Sequence, residues 1–497
     1  MSVQAKRIWI AVLLIAITGC TIVVSHPTYV LINAWWHDRH DRAPAAPGQV
    51  DDASRLNATR VAEVWPIPAD PIEGELQLRA LLQRAKTDRL KVSIAGAKHS
   101  MGGHTISPDG VVIDMLPFKY MELDARRKVL HVGAGARWSQ IVPFLDAEGL
   151  SVSIMQSNND FTVGGSLSVN CHGWQCRRPP IADSVISFRL MKADGVIVTC
   201  SREENRELFS LALGGYGLFG IILDAELRVV PNERYRPEAF VIPSRQYAER
   251  FRFSVNDDVG MAYGRLCVVP GDPFLKEAIL TVFRKSPCAQ KEIPPLKEPQ
   301  LVGLKREVFR AQIGSVAGKE LRWKAEKKLG ETGKTKFVSR NQLFNESAEI
   351  YQEQNADRTD ILHEYFVPQD RLEEFLMKVR AIVPKHPVDL LNVTVRDVRS
   401  DGGTFFRYAD REMFALVMLF NQPRTQAADL AMQVFTRAMI DAALDCGGRY
   451  YLPYRLHASE EQFRRAYPRG EEFFAKKREF DPDGLFINQF YLKYAGR

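Results

Sequence analysis

The sequence has few cysteines and no low-complexity tract. Seven cysteines among 497 residues are too few for a disulfide scaffold. Cys171 and Cys176 are close together, but no second cysteine pair or metal-spaced histidine pair follows them, so no metal site is predicted. An apolar fraction of 45% and a charged fraction of 26% are ordinary for globular proteins and exclude a mainly disordered chain. This length predicts about two or three domains with sizeable cores.

Positive charge is concentrated in one part of the chain. The whole protein carries a formal charge of +7, and eleven Lys or Arg stand against four Asp or Glu between Lys305 and Arg340. No nucleic-acid-binding motif accompanies this stretch, so no nucleic acid partner is predicted. We interpret it as a solvated basic helix with the loop that follows. The alternative is a patch that faces an anionic substrate or lipid headgroups.

Residues 1–25 have the pattern of an export or anchoring segment. Lys6 and Arg7 precede an apolar run at the short limit for crossing a bilayer. The residues around Cys20 resemble the lipidation site of bacterial lipoproteins, so a lipoprotein, an uncleaved anchor and a cleaved signal all stay open. Each alternative predicts a bacterial envelope protein with its folded body in the periplasm, since the positive end stays in the cytoplasm. Residues 26–60 are predicted to be a linker.

The rest of the chain predicts an α+β protein with two domains. In residues 61–232, short strands alternate with helices and glycine-rich turns. Residues 233–450 combine long strands such as Phe414–Phe420 with amphipathic helices, which predicts an α+β domain built on an antiparallel sheet. Residues 451–497 are dense in aromatic and charged side chains, and we expect them to pack back on the two domains.

Three loops rich in glycine and other small residues occur in the first of these domains. They cover residues 93–103, 162–173 and 214–222. The first is neither a phosphate-binding Walker loop nor the dinucleotide fingerprint. Glycines allow the backbone to approach a ligand closely, and consecutive N–H groups in such a loop suit a pyrophosphate. The second loop suits the wrapping of a flat cofactor, because its side chains are small.

In their order and spacing, the three loops resemble the FAD-binding domain of the family named for vanillyl-alcohol oxidase and p-cresol methylhydroxylase. The resemblance covers about residues 60–232 and is greatest to the alditol and aldonolactone oxidases. The segment Phe480–Asn488 (FDPDGLFIN) resembles the carboxy-terminal motif of the same enzymes. This resemblance implies a PCMH-type FAD-binding domain of two subdomains, a substrate-binding cap at residues 233–450, and an FAD-dependent oxidoreductase.

The resemblance also implies the residues that hold the cofactor. His99, in the segment Gly96-Ala-Lys-His-Ser100, falls on the histidine that commonly carries the flavin. The alternative is a hydrogen-bonded loop histidine beside a non-covalent FAD. A second covalent bond is not expected, since Ser157–Thr162 contains no cysteine. The implied cofactor-binding residues are Gly96, Ala97, Lys98, His99, Ser100, Gly102, Thr162, Gly164, Gly165, Ser168, Gly220 and Ile222.

At two catalytic motifs of the alditol oxidases the sequence departs from the family. Arg396 falls on the arginine of an E-x-R segment, but Thr394 replaces the glutamate. In a second segment His457 falls on a lysine. Thr394 cannot act as a base, whereas His457 has an ordinary pKa near neutrality. The alternatives are a salt bridge from Arg396 to Asp397 or Asp401, and a structural role for His457.

Three other residues are candidates for the site. Arg455 lies in that second segment beside Tyr454, which stands in place of the histidine of the motif. Glu364 stands among apolar residues of a cap strand, where a carboxylate is either paired with a cation or catalytic; we favour pairing. Gln156 precedes the second loop and is expected near the reactive edge of the flavin, where it would restrict oxygen and favour a dehydrogenase.

We therefore expect oxidation of a CH–OH group of a sugar, polyol, lactone or lipid-linked sugar by hydride transfer to flavin N5. The expected partners are a small-molecule substrate, an electron acceptor that is oxygen or another carrier, and a membrane through the N-terminus. Reduction of a C=C or imine bond and oxidation of an amine are alternatives on the same fold. A membrane-tethered flavoprotein without catalysis is a third alternative, because of the departures at Thr394 and His457.

Overall fold

The computed structural model describes residues 46–298, 302–331 and 336–496. The predicted N-terminal segment with Cys20, and the predicted linker up to residue 45, lie outside the described residues. From residue 46 onward the linker prediction is wrong, because this part is folded. Asp52 is buried, and its carboxylate accepts hydrogen bonds from the Ser54 hydroxyl and from the Gly103 backbone N–H.

The strands of the N-terminal half are β1 (Gln49–Val50), β2 (Thr59–Arg60), β3 (Glu63–Pro66), β4 (Val92–Ala95), β5 (Val111–Asp114), β6 (Met121–Asp124), β7 (Val129–Gly133), β8 (Leu150–Val152), β9 (Val185–Met191), β10 (Ile197–Ser201) and β11 (Ile221–Pro231). The helices are α1 (Pro71–Thr87), α2 (Trp138–Ala147), α3 (Val163–Ser168) and α4 (Arg206–Ala212). These elements form two subdomains, as the resemblance predicts.

The first subdomain contains a parallel sheet in the order β3-β5-β4, and β1 pairs with β2 beside it. Helix α1 covers the parallel sheet with a buried stripe that includes Leu78, Leu82 and Ala85. It begins at Asp70, whose side chain accepts a hydrogen bond from the Glu73 backbone N–H. The second subdomain is an antiparallel sheet in the order β10-β9-β11-β7-β6, and β8 pairs with the end of β11.

The cap begins where the chain leaves β11. Its strands are β12 (Arg234–Pro243), β13 (Val259–Leu266), β14 (Glu277–Lys285), β15 (Val338–Ser339), β16 (Arg358–Pro368), β17 (Asp389–Val398), β18 (Met413–Pro423) and β19 (Arg449–Tyr450). Its helices are α5 (Tyr247–Ser254), α6 (Val302–Arg310), α7 (Val316–Glu331), α8 (Arg340–Phe344), α9 (Leu372–Ile382) and α10 (Gln426–Asp445). The strands form one antiparallel sheet in the order β15-β12-β14-β13-β17-β18-β16-β19, which confirms the predicted α+β class with an antiparallel cap sheet.

The two faces of the cap sheet have different coverings. Alternate side chains of a strand point to opposite faces. Tyr365 of β16 contacts Phe375 of α9, and Phe414 of β18 contacts Phe251 of α5, so these helices cover one face. The opposite face is turned toward the FAD-binding half and carries most of the polar side chains discussed below.

The basic stretch is only partly solvated, which corrects the interpretation of it as a solvated helix. Arg306, Arg310 and Lys319 are all buried. Arg310 pairs with Asp360 at 2.5 Å, and Lys319 pairs with Asp389 at 2.6 Å. Much of this positive charge therefore holds α6 and α7 against the cap sheet.

The C-terminal segment returns to the FAD-binding half through α11 (Glu460–Ala466), α12 (Gly470–Phe480) and α13 (Gln489–Tyr494). The Val92 N–H donates to the Leu485 carbonyl at 2.8 Å, and the Ile487 N–H donates to the Val92 carbonyl at 3.0 Å. Earlier in the C-terminal segment, the Pro453 carbonyl accepts a hydrogen bond from the Met101 N–H at 2.8 Å. These bonds fix the segment beside the first glycine loop. In the part of the chain that the structure describes, no helix combines the length and apolar character needed to cross a bilayer.

Candidate flavin and substrate site

A cavity of about 460 Å³ lies between the glycine loops and the polar face of the cap sheet. Its volume is within the range of about 300–1,000 Å³ that is common for sites of small molecules. Of the twelve residues predicted to hold the cofactor, eleven line this cavity, and Gly102 does not. The loops that sequence analysis grouped by composition thus meet at one place.

The first glycine loop follows β4 and lies tightly against the second. A Cβ atom on Gly96 would come within 2.2 Å of the Thr162 hydroxyl, so the close approach of the loops requires glycine there. Lys98 has a φ of 58°, an uncommon left-handed conformation for a residue with a side chain. His99 follows it and stacks on Phe161, with ring centroids 4.2 Å apart.

The second loop contains helix α3, although the sequence was interpreted as a loop throughout. Thr162 caps this helix by accepting a hydrogen bond from the Gly165 N–H at 3.2 Å. Gly164 lies against β7, because its N–H donates to the Ala134 carbonyl at 2.8 Å and a Cβ atom would reach the Ala134 Cβ at 2.8 Å. The small residues therefore allow a helical turn to lie between strand β7 and the cavity.

The third loop leads into β11. Gly220 has a φ of 147°, and a Cβ atom there would come within 2.6 Å of the Met191 carbonyl oxygen. Gly220 and Ile222 both line the cavity, as predicted. The glycine at this position allows β11 to start beside β9 while its first residues face the ligand space.

Gly102 is a packing residue in this structure, which corrects its assignment to the cofactor. A Cβ atom there would come within 2.4 Å of the Tyr454 carbonyl oxygen and 2.7 Å of the His104 ring. This glycine therefore brings the C-terminal segment against the first loop.

The structure does not bring His457 to the cavity. His457 is buried behind it, where Nδ1 lies 2.9 Å from the Thr436 hydroxyl and Nε2 lies 3.4 Å from the Asp429 carboxylate. Burial lowers its pKa, although the bond to Asp429 opposes this. Arg455 also pairs with Asp429, at 2.7 Å, and does not line the cavity. The structural interpretation of His457 therefore fits its position.

Polar side chains from neighbouring strands line the cap side of the cavity. Val417 of β18 pairs with Glu364 of β16 on one side and with Thr394 of β17 on the other. Directly opposite residues in a sheet point to the same face. The register therefore places Glu364, Thr394 and, two residues farther along β17, Arg396 on one face toward the glycine loops.

Arg396 lies at the cavity without the salt bridges that were considered for it. Its Nη2 donates to the Ser157 hydroxyl at 2.9 Å, just before the second loop. Asp397 instead accepts from Gln369 at 2.7 Å, and Asp401 accepts from Asn170 at 2.9 Å. The guanidinium group is therefore available to a ligand of the cavity.

Thr394 stands where the family has a glutamate. Its hydroxyl accepts a hydrogen bond from an arginine that was not predicted from the sequence. The Arg265 guanidinium donates to the Thr394 hydroxyl at 3.0 Å, and the Asn392 amide donates to the same oxygen at 3.1 Å. Arg265 lies on β13, which pairs with β17 at Thr394. No sequence motif marks this arginine, since only the strand register brings it to the site.

Glu364 is paired with a histidine and hydrogen-bonded to a tyrosine. The His172 Nε2 lies 2.6 Å from one carboxylate oxygen, and the Tyr454 hydroxyl donates to the other at 3.1 Å. Among the described residues, no lysine or arginine comes within 4.0 Å of this carboxylate. Burial alone would raise the pKa of Glu364, but His172, Arg396 and Tyr454 together hold it below its ordinary value.

Two further cavity residues lie close to the second loop. Gln156 accepts a hydrogen bond from the Ser166 hydroxyl at 2.9 Å and donates to the Asn158 carbonyl at 2.9 Å, so its amide is fixed. Cys171 is buried, and burial raises the pKa of its thiol to about 12. It is therefore a neutral group at the cavity wall rather than a reactive thiolate.

The residues of the loop side fit FAD. The hydroxyl oxygens of Ser100 and Thr105 line the cavity and are buried, and no described residue forms a hydrogen bond with either. Buried polar atoms are usually satisfied, so these hydroxyls suit the polar groups of a ligand. Such a cofactor would be held by the backbone of the three glycine loops and by these two hydroxyls.

Comparison with known proteins also indicates a protein that binds FAD. Residues 72–201 match the family model described as "FAD binding domain", a range that includes the first two glycine loops. The protein is an FAD-dependent oxidoreductase with a PCMH-type FAD-binding domain, similar to the aldonolactone oxidases.

Several curated proteins are similar over different lengths. L-gulonolactone oxidase of Mus musculus is 22% identical over 427 residues, which are 84% of this chain and 92% of that protein. The mitochondrial L-galactono-1,4-lactone dehydrogenase of Arabidopsis thaliana is 31% identical over 34% of this chain and 28% of its own length. Cytokinin dehydrogenase 2 of Oryza sativa subsp. japonica is 27% identical over 50% of this chain and 47% of its own length.

Proposed function

We propose that this oxidoreductase converts a CH–OH group of a sugar, polyol or sugar lactone to a carbonyl group. One observation carries the proposal. Arg396 and the ionised, buried Glu364 lie on the same face of the cap sheet, the face that is turned toward the glycine loops. The names of the mouse and Arabidopsis relatives, a lactone oxidase and a lactone dehydrogenase, support a substrate of this class.

The cavity residues suit the charges of such a reaction. FAD held by the glycine loops would supply the acceptor for a hydride from the substrate carbon. Arg396 at the cavity wall would stabilise negative charge, and a fixed cation is effective because little reorganisation is needed. Arg265, Asn392 and Thr394 offer a row of donors and acceptors along the sheet, which suits the hydroxyl groups of a sugar-like molecule.

The attachment of the flavin to His99 is part of the proposal. His99 lines the cavity, follows the strained Lys98 and is held against Phe161, so its ring has a defined position beside the ligand space. A single covalent bond remains our expectation.

Oxidation of an amine is the second candidate. It is favoured by the relative named cytokinin dehydrogenase. The two candidates differ in their products, because an amine yields an imine whose hydrolysis releases ammonia or an amine, whereas an alcohol does not.

We further propose that the protein works in a bacterial envelope and delivers its electrons mainly to a carrier other than oxygen. The N-terminal sequence supports the location. Gln156, fixed between Ser166 and Asn158 at the cavity wall, supports restricted access of oxygen.

Anaerobic reduction of the bound flavin tests the proposed function. The purified protein is mixed with a panel of sugar lactones, polyols, sugars and amines, and the loss of flavin absorbance is followed. We expect rapid loss with at least one CH–OH substrate, a carbonyl product, and faster turnover with an artificial acceptor than with oxygen. Reduction by amines alone would support the second candidate, and no reduction by any CH–OH compound would contradict the proposal.

A further inference from the structure

A buried chain of three side chains connects separate parts of the molecule at the wall of the cavity. It consists of Tyr454 from the C-terminal segment, Glu364 from cap strand β16, and His172 from the end of the second glycine loop. The distances are 3.1 Å from the Tyr454 hydroxyl to Glu364 Oε2 and 2.6 Å from Glu364 Oε1 to His172 Nε2. All three residues line the cavity, and Glu364 and His172 are almost completely buried.

The direction of each hydrogen bond follows from the charge of Glu364. Its pKa is held below the ordinary value, so at neutral pH it is a carboxylate and only accepts hydrogen bonds. The Tyr454 hydroxyl and the His172 Nε2–H must therefore both donate to it. The other ring nitrogen, His172 Nδ1, is buried, and no described residue forms a hydrogen bond with it.

Other carboxylates line the same cavity, but their partners differ. Asp360 and Glu353 are paired with Arg310, at 2.5 Å and 3.4 Å, and both also accept from Asn421 at 2.8 Å. A carboxylate with an arginine partner takes up a proton only at a large energetic cost. Glu346 also lines the cavity and accepts a hydrogen bond from the Tyr351 hydroxyl at 3.2 Å. Like Glu346, Glu364 has no lysine or arginine within 4.0 Å among the described residues, and of the two it is the one that shares a sheet face with Arg396.

From this arrangement we propose that Tyr454 and Glu364 form a relay that removes the hydroxyl proton of the substrate, with His172 as a positioning residue. The proposal rests on the proposed CH–OH oxidation. As the hydride leaves the carbon, the substrate O–H bond breaks and its proton moves to Tyr454 Oη. At the same time the original Tyr454 O–H bond breaks and its proton moves to Glu364 Oε2. The products are a carbonyl group, an unchanged tyrosine and a neutral Glu364.

In the enzymes that this chain resembles, a glutamate stands at the position of Thr394 on β17. The relay instead supplies a base from β16. Thr394 lacks an ionisable group, and two strands away Glu364 occupies the same face of the sheet. A general base contributes about 10²- to 10⁴-fold to the rate. The substitution at Thr394 is therefore compatible with full catalysis.

Three variants and one control test the relay in the flavin-loaded protein. We expect Tyr454→Phe and Glu364→Gln to slow flavin reduction by about 10²-fold or more, with little change in substrate KM.

His172→Gln removes a bond that lowers the pKa of Glu364, so the acid limb of kcat should move to higher pH while the rate at high pH is largely kept. Tyr494→Phe is the control, because the Tyr494 hydroxyl donates to the Ala458 carbonyl at 3.2 Å outside the cavity. This variant should reduce flavin at nearly the wild-type rate.

Infrared difference spectra of the wild-type protein give a second readout, for which no variant has to fold. Anaerobic addition of substrate to the wild-type protein should produce the C=O band of a protonated carboxyl group, and the band should be missing in Glu364→Gln. Wild-type rates and an unchanged acid limb in Glu364→Gln, or no carboxyl band in the wild type, would overturn the relay while flavin reduction still upheld the proposed function. Failure of every CH–OH compound to reduce the wild-type flavin would overturn both.

Discussion

The position of His99 combines a strained backbone with a stacked ring. Lys98 holds a left-handed conformation, and the imidazole of His99 lies against Phe161 at the cavity. A residue in a strained conformation is kept there only when its surroundings determine it closely. This arrangement gives the ring one orientation, which a covalent bond to a bound cofactor requires.

We predict that His99→Ala loses the covalent bond but still binds flavin, since the glycine loops supply the remaining contacts. After acid precipitation, the yellow colour should stay with the wild-type pellet and move to the supernatant in the variant. His386→Gln is the matched control, because His386 lies outside the cavity beside Phe435 and should leave the colour in the pellet. Colour in the wild-type supernatant would show that the bond is absent.

At the scale of elements, one buried carboxylate adds side-chain hydrogen bonds to the backbone pairing of strand β11 with its neighbours. Asp224 of β11 accepts hydrogen bonds from Arg189 of β9 at 2.9 Å, from His131 of β7 at 3.1 Å, and from the Tyr120 hydroxyl at 2.6 Å. Burial would raise the pKa of Asp224, but these partners lower it. The bond to Asp224 in turn raises the pKa of His131.

Asp224→Asn should therefore destabilise the protein by about 2–3 kcal/mol. This is less than the roughly 3–5 kcal/mol lost when a fully buried pair is broken, because the Arg189 side chain is 35% exposed. The measurement is the free energy of unfolding, or the melting temperature, of both proteins. A loss below about 0.5 kcal/mol, the usual effect of surface changes, would contradict a stabilising role.

The difference in stability between wild type and Asp224→Asn should also depend on pH. The pKa of Asp224 is lowered on folding, so its contribution is present above the ordinary value of 3.8 and is lost as pH falls through the folded pKa. The pKa of His131 is raised, so its contribution is full below the ordinary value of 6.5 and is lost as pH rises through the folded pKa. The melting temperatures of wild type and Asp224→Asn should therefore differ most at pH values between 3.8 and 6.5.

Elements also differ in how far the sequence predicts them. The alternation of short strands and helices in residues 61–232 was predicted because hydrophobic periodicity and turn residues are local features of the sequence. The helical turn α3 was missed, since glycine and serine are weak helix formers and the capping hydrogen bond of Thr162 is what starts it. The folded residues after position 46 were missed because their burial depends on contacts with the first loop and the cap.

For the whole molecule, the N-terminal sequence and the folded body make separate contributions. We predict that the full chain sediments with membranes, whereas a chain that starts at residue 46 remains in the supernatant and keeps its flavin. The reason is that the predicted export or anchoring segment lies within residues 1–25. Fractionation followed by flavin absorbance checks both outcomes, and Cys20→Ser separates a lipid anchor from a spanning one. Membrane sedimentation of the shortened chain would contradict the prediction.

The sequence by itself determined the cofactor, because each glycine loop is a short contiguous segment that carries the resemblance without help from distant residues. His99, Gly164 and Gly220 could therefore be predicted from motifs, and all three line the cavity. Only the tertiary structure decided the substrate side, where Tyr454, Glu364 and His172 come from three distant segments. Their meeting depends on strand register and on the return of the C-terminal segment, and a shift of one residue in β16 would turn Glu364 to the opposite face. The same packing places His457 behind the cavity, although its motif had suggested a catalytic role.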